Sequence, residues 1–218
     1  MNHFALFGLG LLLGLRHAAD PDHVVAVTAI AARTRRILPA MWLGVVWGLG
    51  HTLTVFVVGS AIILFNWVVP PRLGLAMEFA VALALVVVGL LNLGRSAAHS
   101  HELDAPGRLP VGRAFTVGIV HGLAGSAAVA LLVLATVREP RWAIGYLLLF
   151  GLGTLGGMTL VTTGFALPVT TAARRWRGAS RAIRLATGLL SLAFGLWLAW
   201  QVGWHDGLFL ATPRWSPH

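Results

Sequence analysis

Residues 13–25 read Leu13-Gly14-Leu15-Arg16-His17-Ala18-Ala19-Asp20-Pro21-Asp22-His23-Val24-Val25. On both sides the chain is apolar, so an arginine, two histidines and two aspartates lie inside what otherwise reads as a membrane-crossing helix. An ionised side chain near the bilayer centre costs roughly 2.5–3.5 kcal/mol on insertion scales, and such groups mark ion or substrate pathways. Pro21 removes a backbone N–H and disfavours helix just before it, which predicts a kink or unwound turn near residues 18–21. Broken backbone at that depth is tolerated only against protein or a wet cavity. The kink and the polar cluster therefore support each other.

The apolar texture continues outward along the whole chain of 218 residues, of which 57% are apolar and 11% charged. Mean hydropathy is +0.82, whereas a soluble domain carries about 25% charged residues. Apolar runs of roughly 20 residues recur from end to end. They predict an all-α integral membrane protein with helices near 4–32, 40–64, 74–94, 114–137, 142–167 and 183–202. No soluble domain fits between them. The first run lacks the basic start and small-residue cleavage site of a signal peptide and reads as a retained helix.

Composition also removes whole classes of function. There is no cysteine, so disulfides, thiolate metal sites and iron–sulfur clusters are excluded. All 16 basic residues are arginine, so the lysine of a phosphate-binding P-loop is missing. The net charge of +9 comes from arginines in short loops rather than from a basic helix interleaved with aromatics, which argues against nucleic acid.

Those arginines orient the chain. Arg33, Arg35, Arg36, Arg95, Arg108, Arg113, Arg174, Arg175, Arg177, Arg181 and Arg184 fall on one side of the six spans, and Arg72, Arg138, Arg141 and Arg214 on the other. The rich side is expected in the cytoplasm of an inner membrane, with both termini outside. Trp67, Trp142, Trp200 and Trp204 fit an aromatic belt at the outer interface.

The two halves look alike. His17 corresponds to His121, and Trp47-Gly48-Leu49-Gly50-His51 to Phe150-Gly151-Leu152-Gly153-Thr154, at offsets of 104 and 103 residues. Gly89 pairs with Gly195. Repeats with an odd number of spans must run in opposite senses, so the expectation is two inverted three-helix repeats with a site near the midplane. The corresponding segments are 1–98 (first repeat), 99–113 (cytoplasmic loop), 114–202 (second repeat) and 203–218 (outer tail).

His17, His51 and His121 lie at similar depth, beside His23, Asp20 and Asp22. In an unbroken helix His17, Asp20 and His23 recur at steps of three near one face, and Asp22 joins them only if Pro21 re-aims it. Imidazole nitrogens with carboxylate oxygens suit nickel, cobalt, zinc or iron(II), whereas magnesium and calcium want oxygen almost exclusively. Copper(I) would want Met or Cys, and only Met158 is well placed. Arg16 needs a partner in the membrane; Asp20 one turn on is the nearest, and Asp22 can serve if the backbone bends. Thr52, Ser126, Thr154 and Thr159 offer hydroxyls that serve equally for helix contacts.

At this point the residues resemble a known family. His17-Ala18-Ala19-Asp20-Pro21-Asp22-His23 is similar to the His-x4-Asp-His signature of the nickel/cobalt transporter family, and Leu49-Gly50-His51-Thr52 to its Leu-Gly-His-Ser/Thr signature. His121-Gly122-Leu123-Ala124-Gly125 and Gly151-Leu152-Gly153-Thr154-Leu155-Gly156-Gly157-Met158 resemble the later motifs of a short six-helix branch, the urease-accessory nickel permeases. The resemblance implies His17, Asp22 and His23 as essential ligands with His51 assisting. It implies transport rather than enzymatic activity, with Ni2+ or Co2+ as substrate and no prosthetic group. The chain lacks the first helix and the long soluble loop of eight-span members. The family includes importers and efflux proteins, so uptake is the main expectation and efflux on the same fold the alternative. A His-rich membrane metalloenzyme or haem protein is the more distant one.

Secondary metal positions are Met1, Asn2 and His3, whose amine, amides and imidazole can wrap nickel(II) in a square plane, and His99 and His101 in the cytoplasmic loop. His205, Asp206 and His218 in the tail are weaker. A metallochaperone or a second copy of the chain are the protein partners this scheme leaves room for.

Overall fold

The computed structural model describes residues 3–32, 36–65, 69–94, 111–124, 137, 139–175 and 178–215. Every regular element among them is helical. Helix α1 spans His3–His17 and α2 spans Pro21–Ala31. They are followed by α3 (Ile37–Phe65), α4 (Pro71–Gly94) and α5 (Val111–Leu123). Helix α6 spans Pro140–Arg175, and α7 (Ala179–Trp200) continues into one π-helical turn, Gln201–His205.

The boundary between α1 and α2 follows from local chemistry. The amides of Ala19 and Asp20 bond back to the carbonyls of Arg16 and His17, closing the end of α1. Asp20 is extended (φ −62°, ψ 146°), and Pro21 takes the first helical position of α2, where its missing N–H costs nothing. The polar cluster thus straddles two helix ends.

Four stretches are long and apolar enough to cross a membrane: Ile37–Phe65, Pro71–Gly94, Pro140–Ala172 and Ala179–His205. Their outward faces are apolar as well. On α3, Leu49, Leu53, Val57 and Leu64 form an exposed stripe, where a soluble helix would carry charge. The chain is a helical multi-pass membrane protein. Ala5–His17, Pro21–Ala31 and Val111–Leu123 are shorter apolar helices, and residues 125–136 of the expected fourth span lie outside the described ones.

Helix α3 packs against both α5 and α6, α1 against α6, and α4 against α7, while α2 touches α4, α6 and α7. Glycines make the closest crossings. A Cβ at Gly14 would meet the Phe150 carbonyl, and one at Gly118 the Trp47 carbonyl. At Gly153 it would meet the Leu11 carbonyl, and at Gly50 that of Phe115. Between α4 and α7, Gly89 faces the Gly188 carbonyl, and Gly195 that of Ala82. Without side chains there, backbones approach closely, which is how membrane helices gain packing energy.

Polar side chains fasten the ends. Asn92 Nδ2 donates to the Ala29 carbonyl at 2.8 Å, tying α4 to α2. The buried Arg184 donates to the Asn92 carbonyl from α7, and Ser191 Oγ to the Leu85 carbonyl at 2.8 Å. The tail after α7 turns at Gly207, whose φ of 84° is left-handed. It then lies on the start of α4: Phe209 stacks edge-on against Phe79, Trp215 packs over Gly74, and Arg72 donates to the Leu210 carbonyl.

One boundary differs from the sequence expectation. Helix α6 does not stop before Pro168 but runs through it to Arg175. The hydroxyls of Thr170 and Thr171 both donate to the Leu167 carbonyl in the turn around Pro168.

Candidate metal centre

Four helices bring imidazoles to one place. His17 is the last residue of α1, His23 the third of α2, His51 lies midway along α3 and His121 near the end of α5. All are buried; His51 and His23 are 0% and 1% exposed. One nitrogen from each of His17, His23 and His51 falls within 4.8 Å of the others. The His17 and His23 rings are 4.6 Å apart, His23 and His51 5.0 Å, and His23 and His121 5.6 Å.

The unused nitrogens point to a ligand. Nε2 of His17, His23, His51 and His121, and Nδ1 of His23 and His51, are buried with no hydrogen-bond partner. Each such orphan costs roughly 1–3 kcal/mol. A divalent metal would remove that cost at one nitrogen of each ring by taking its lone pair. Nitrogen ligands sit about 2.0–2.1 Å from a metal such as zinc, so two of them lie at most about 4.2 Å apart. The cluster needs only a slight contraction to close on an ion.

Two of the rings are oriented from behind. His17 Nδ1 lies 2.7 Å from Asp20 Oδ2, and His121 Nδ1 donates to the Val117 carbonyl at 3.1 Å. A proton held on Nδ1 leaves the lone pair on Nε2, the usual arrangement of a metal-ligating histidine. Asp20 stands at the N-cap of α2 but makes no side-chain cap bond. Its carboxylate serves His17 instead. This is a different pairing from the one with Arg16 anticipated above; Arg16 itself is exposed.

Asp22 Oδ1 lies 3.3 Å from His23 Nδ1, close enough for an ion pair but not aligned as a hydrogen bond. Asp20, Asp22, His17, His23 and Arg16 line a cavity of about 420 Å³. Its other walls are apolar, with Leu13, Val81, Phe194 and Leu198 among them, and the imidazoles themselves pack on Phe150 (His17) and Trp47 (His23 and His121). Low-polarity walls strengthen charge interactions with anything held there. Met158 is fully buried in the same core as Trp47. The hydroxyls of Thr52, Thr154 and Thr159 donate to the carbonyls of Gly151, Phe150 and Leu155.

All six primary candidates, His17, Asp20, Asp22, His23, His51 and His121, therefore gather around one centre. His3 opens α1, about 21 Å from His17 at 1.5 Å per residue, so an amino-terminal site would be separate. Met1, Asn2, His99, His101, Ser126 and His218 lie outside the described residues. His205 is paired with Gln201 and Asp206 at the far end of α7.

Sequence reasoning passed over Glu78. It lines the same cavity, and its Oε1 accepts a bond of 2.9 Å from Trp215 Nε1. The signal was there: a carboxylate inside the apolar run 74–94.

Comparison with known proteins bears on what this centre holds. Residues 3–96 match the family model NicO, described as high-affinity nickel-transport protein. That stretch contains His17, Asp20, Asp22, His23 and His51. Over 217 residues the chain is 36% identical to the urease accessory protein UreH of Bacillus sp. (strain TB-90), covering 94% of this chain and 95% of that protein. No solved structure matches the chain.

Proposed function

The chain belongs to the high-affinity nickel-transport family, and from that membership we propose that it carries Ni2+ into the cell through the histidine cluster. The ion exchanges water for Nε2 of His17, His23 and His51, with Asp22 supplying charge and His121 completing the shell. Asp20 orients His17. The observation that carries this reading is the set of buried imidazole nitrogens without partners, three of them within 4.8 Å. Soft thiolate ligands are absent and imidazoles dominate, which suits nickel or cobalt better than copper(I) or magnesium.

The architecture we assign is two inverted three-helix repeats, 1–98 and 114–202. In this reading α1 and α2 are two halves of one broken span. Support comes from reciprocal glycine crossings. Gly14 and Gly118 meet Phe150 and Trp47, and Gly153 and Gly50 meet Leu11 and Phe115. Every pair is related by the 103- or 104-residue offset. Gly89 and Gly195 meet Gly188 and Ala82, again a matched set at an offset of 106. A site at the junction of such repeats sits near the midplane.

Uptake needs no ATP on this scheme. An inside-negative potential of about 100 mV contributes about 4.6 kcal/mol to an inward-moving divalent ion. The arginine bias places the Pro71 end of α4 outside, in the inner membrane of the cell. The test is radioactive nickel accumulation in cells expressing the wild type or His23→Ala at equal membrane levels. Loss of accumulation in the variant supports the reading; equal accumulation refutes the ligand assignment, and accumulation that rises when the wild type is deleted indicates export.

A further inference from the structure

Beside the histidine cluster, the cavity has a carboxylate that no motif of the family reading includes. Glu78 is half-buried on α4, two turns from its Pro71 end. It shares the cavity with Arg16, His17, Asp20, Asp22 and His23. The rest of α4 is apolar apart from Arg72 at its first turn and Asn92 near its last. A carboxylate inside a membrane helix is costly and persists where it faces water or a charged substrate.

Glu78 is also held. Trp215 Nε1 donates to its Oε1 at 2.9 Å, although 137 residues separate the two in sequence. The Trp215 ring rests on Gly74, one turn before Glu78 on the same face of α4. A Cβ at Gly74 would collide with the indole. The tail turn at Gly207 and the Arg214 N–H bond to the Asp206 carbonyl fix the path that delivers Trp215 there. The whole tail thus aims one carboxylate.

The matching position in the other repeat carries the opposite charge. At the 106-residue offset that relates Gly89 to Gly195, Glu78 corresponds to Arg184, whose guanidinium is buried against the Asn92 carbonyl. The two matched positions therefore carry opposite charges, Glu78 near the Pro71 end of α4 and Arg184 against its Gly94 end. A carboxylate at the mouth of a low-dielectric cleft raises the local concentration of cations and their on-rate.

We infer that Glu78 is the mouth carboxylate that captures the hydrated divalent cation before the histidines strip it, and that Trp215 is its positioning residue. This rests on the nickel-transport reading above and adds to it the side from which the ion arrives. Capture by charge acts on the encounter, not on the final coordination.

The test is initial-rate nickel uptake into proteoliposomes containing the full chain, with Glu78→Gln, Glu78→Asp and Trp215→Phe compared with wild type. Glu78→Gln is expected to raise the half-saturating nickel concentration about tenfold at low salt, with maximal rate within about twofold. High salt should narrow that gap, because screening removes the advantage of the wild type. Glu78→Asp should restore most of the affinity, and Trp215→Phe, which keeps the ring but loses the N–H, should fall between. An unchanged half-saturation in Glu78→Gln, or a fall in maximal rate alone, overturns the inference. So does a loss that Asp does not rescue. If wild-type liposomes take up no nickel, the transport reading fails first; if they do and Glu78→Gln matches them, only the mouth role fails.

Discussion

His17 Nδ1 and Asp20 Oδ2 lie 2.7 Å apart across the end of α1. An aspartate at an N-cap ordinarily accepts from the first amides of its helix, a bond typically worth about 1 kcal/mol. Asp20 gives that up and holds the imidazole instead, while Pro21, with no N–H to satisfy, opens α2. The helix start is less well capped, and the carboxylate orients the His17 imidazole instead.

That pairing makes Asp20→Ala informative. Removing such an outer partner usually costs 10–100-fold in metal affinity. Equilibrium nickel binding to detergent-solubilised protein should weaken by that factor, with helical content by circular dichroism unchanged. Undiminished affinity would show that Asp20 does not orient His17.

The glycine crossings are a second test. Gly14→Ala places a methyl against the Phe150 carbonyl and the Thr154 amide, both backbone atoms of α6 that cannot swing aside. Overpacking of this kind costs about 1–3 kcal/mol. Gly8→Ala, two turns away on the same helix, meets nothing within 4 Å. Thermal unfolding in detergent should show a lower midpoint for the first and none of that loss for the second. Equal midpoints would contradict the close approach of α1 and α6.

Asn92 ties α2 to α4 through the Ala29 carbonyl. Asn92→Leu leaves that buried acceptor without its donor and should destabilise the fold by about 1–3 kcal/mol. Slower hydrogen exchange is not expected. Faster exchange localised to Pro21–Ala31 is, and uniform exchange across all helices would argue against a specific tie.

The absence of cysteine makes orientation directly measurable. A single cysteine introduced at Ser100 should react with a membrane-impermeant maleimide only in inverted vesicles, and one introduced at Ala211 only in intact spheroplasts. The reverse pattern would invert the topology assigned from the arginines.

Much of this was legible in the residues. Hydropathy and the charge count were enough for a helical membrane protein, and His17, Asp22, His23 and His51 stood out because ionisable groups are rare in apolar runs. The Gly50 and Gly153 match was readable because membrane crossings select small residues at fixed offsets. What was not legible was non-local. The step of three put Asp20 on the face of His17, but which of Arg16 and His17 it serves depended on how the chain turns at residues 18–20. The fifth span was expected near 142–167, whereas the helix itself runs on to Arg175, because hydropathy marks the apolar stretch and not the end of the helix. Glu78 was visible as a lone acid, but its role required Trp215, which only the folded tail brings near.

The central claim is that buried imidazoles from α1, α2 and α3 share one divalent ion. X-ray absorption at the nickel edge on the loaded, purified protein tests it most directly. The account predicts one nickel per chain with about three imidazole nitrogens near 2.1 Å, and a loss of imidazole scattering in His23→Ala. An all-oxygen shell, or a spectrum that His23→Ala leaves unchanged, would contradict it.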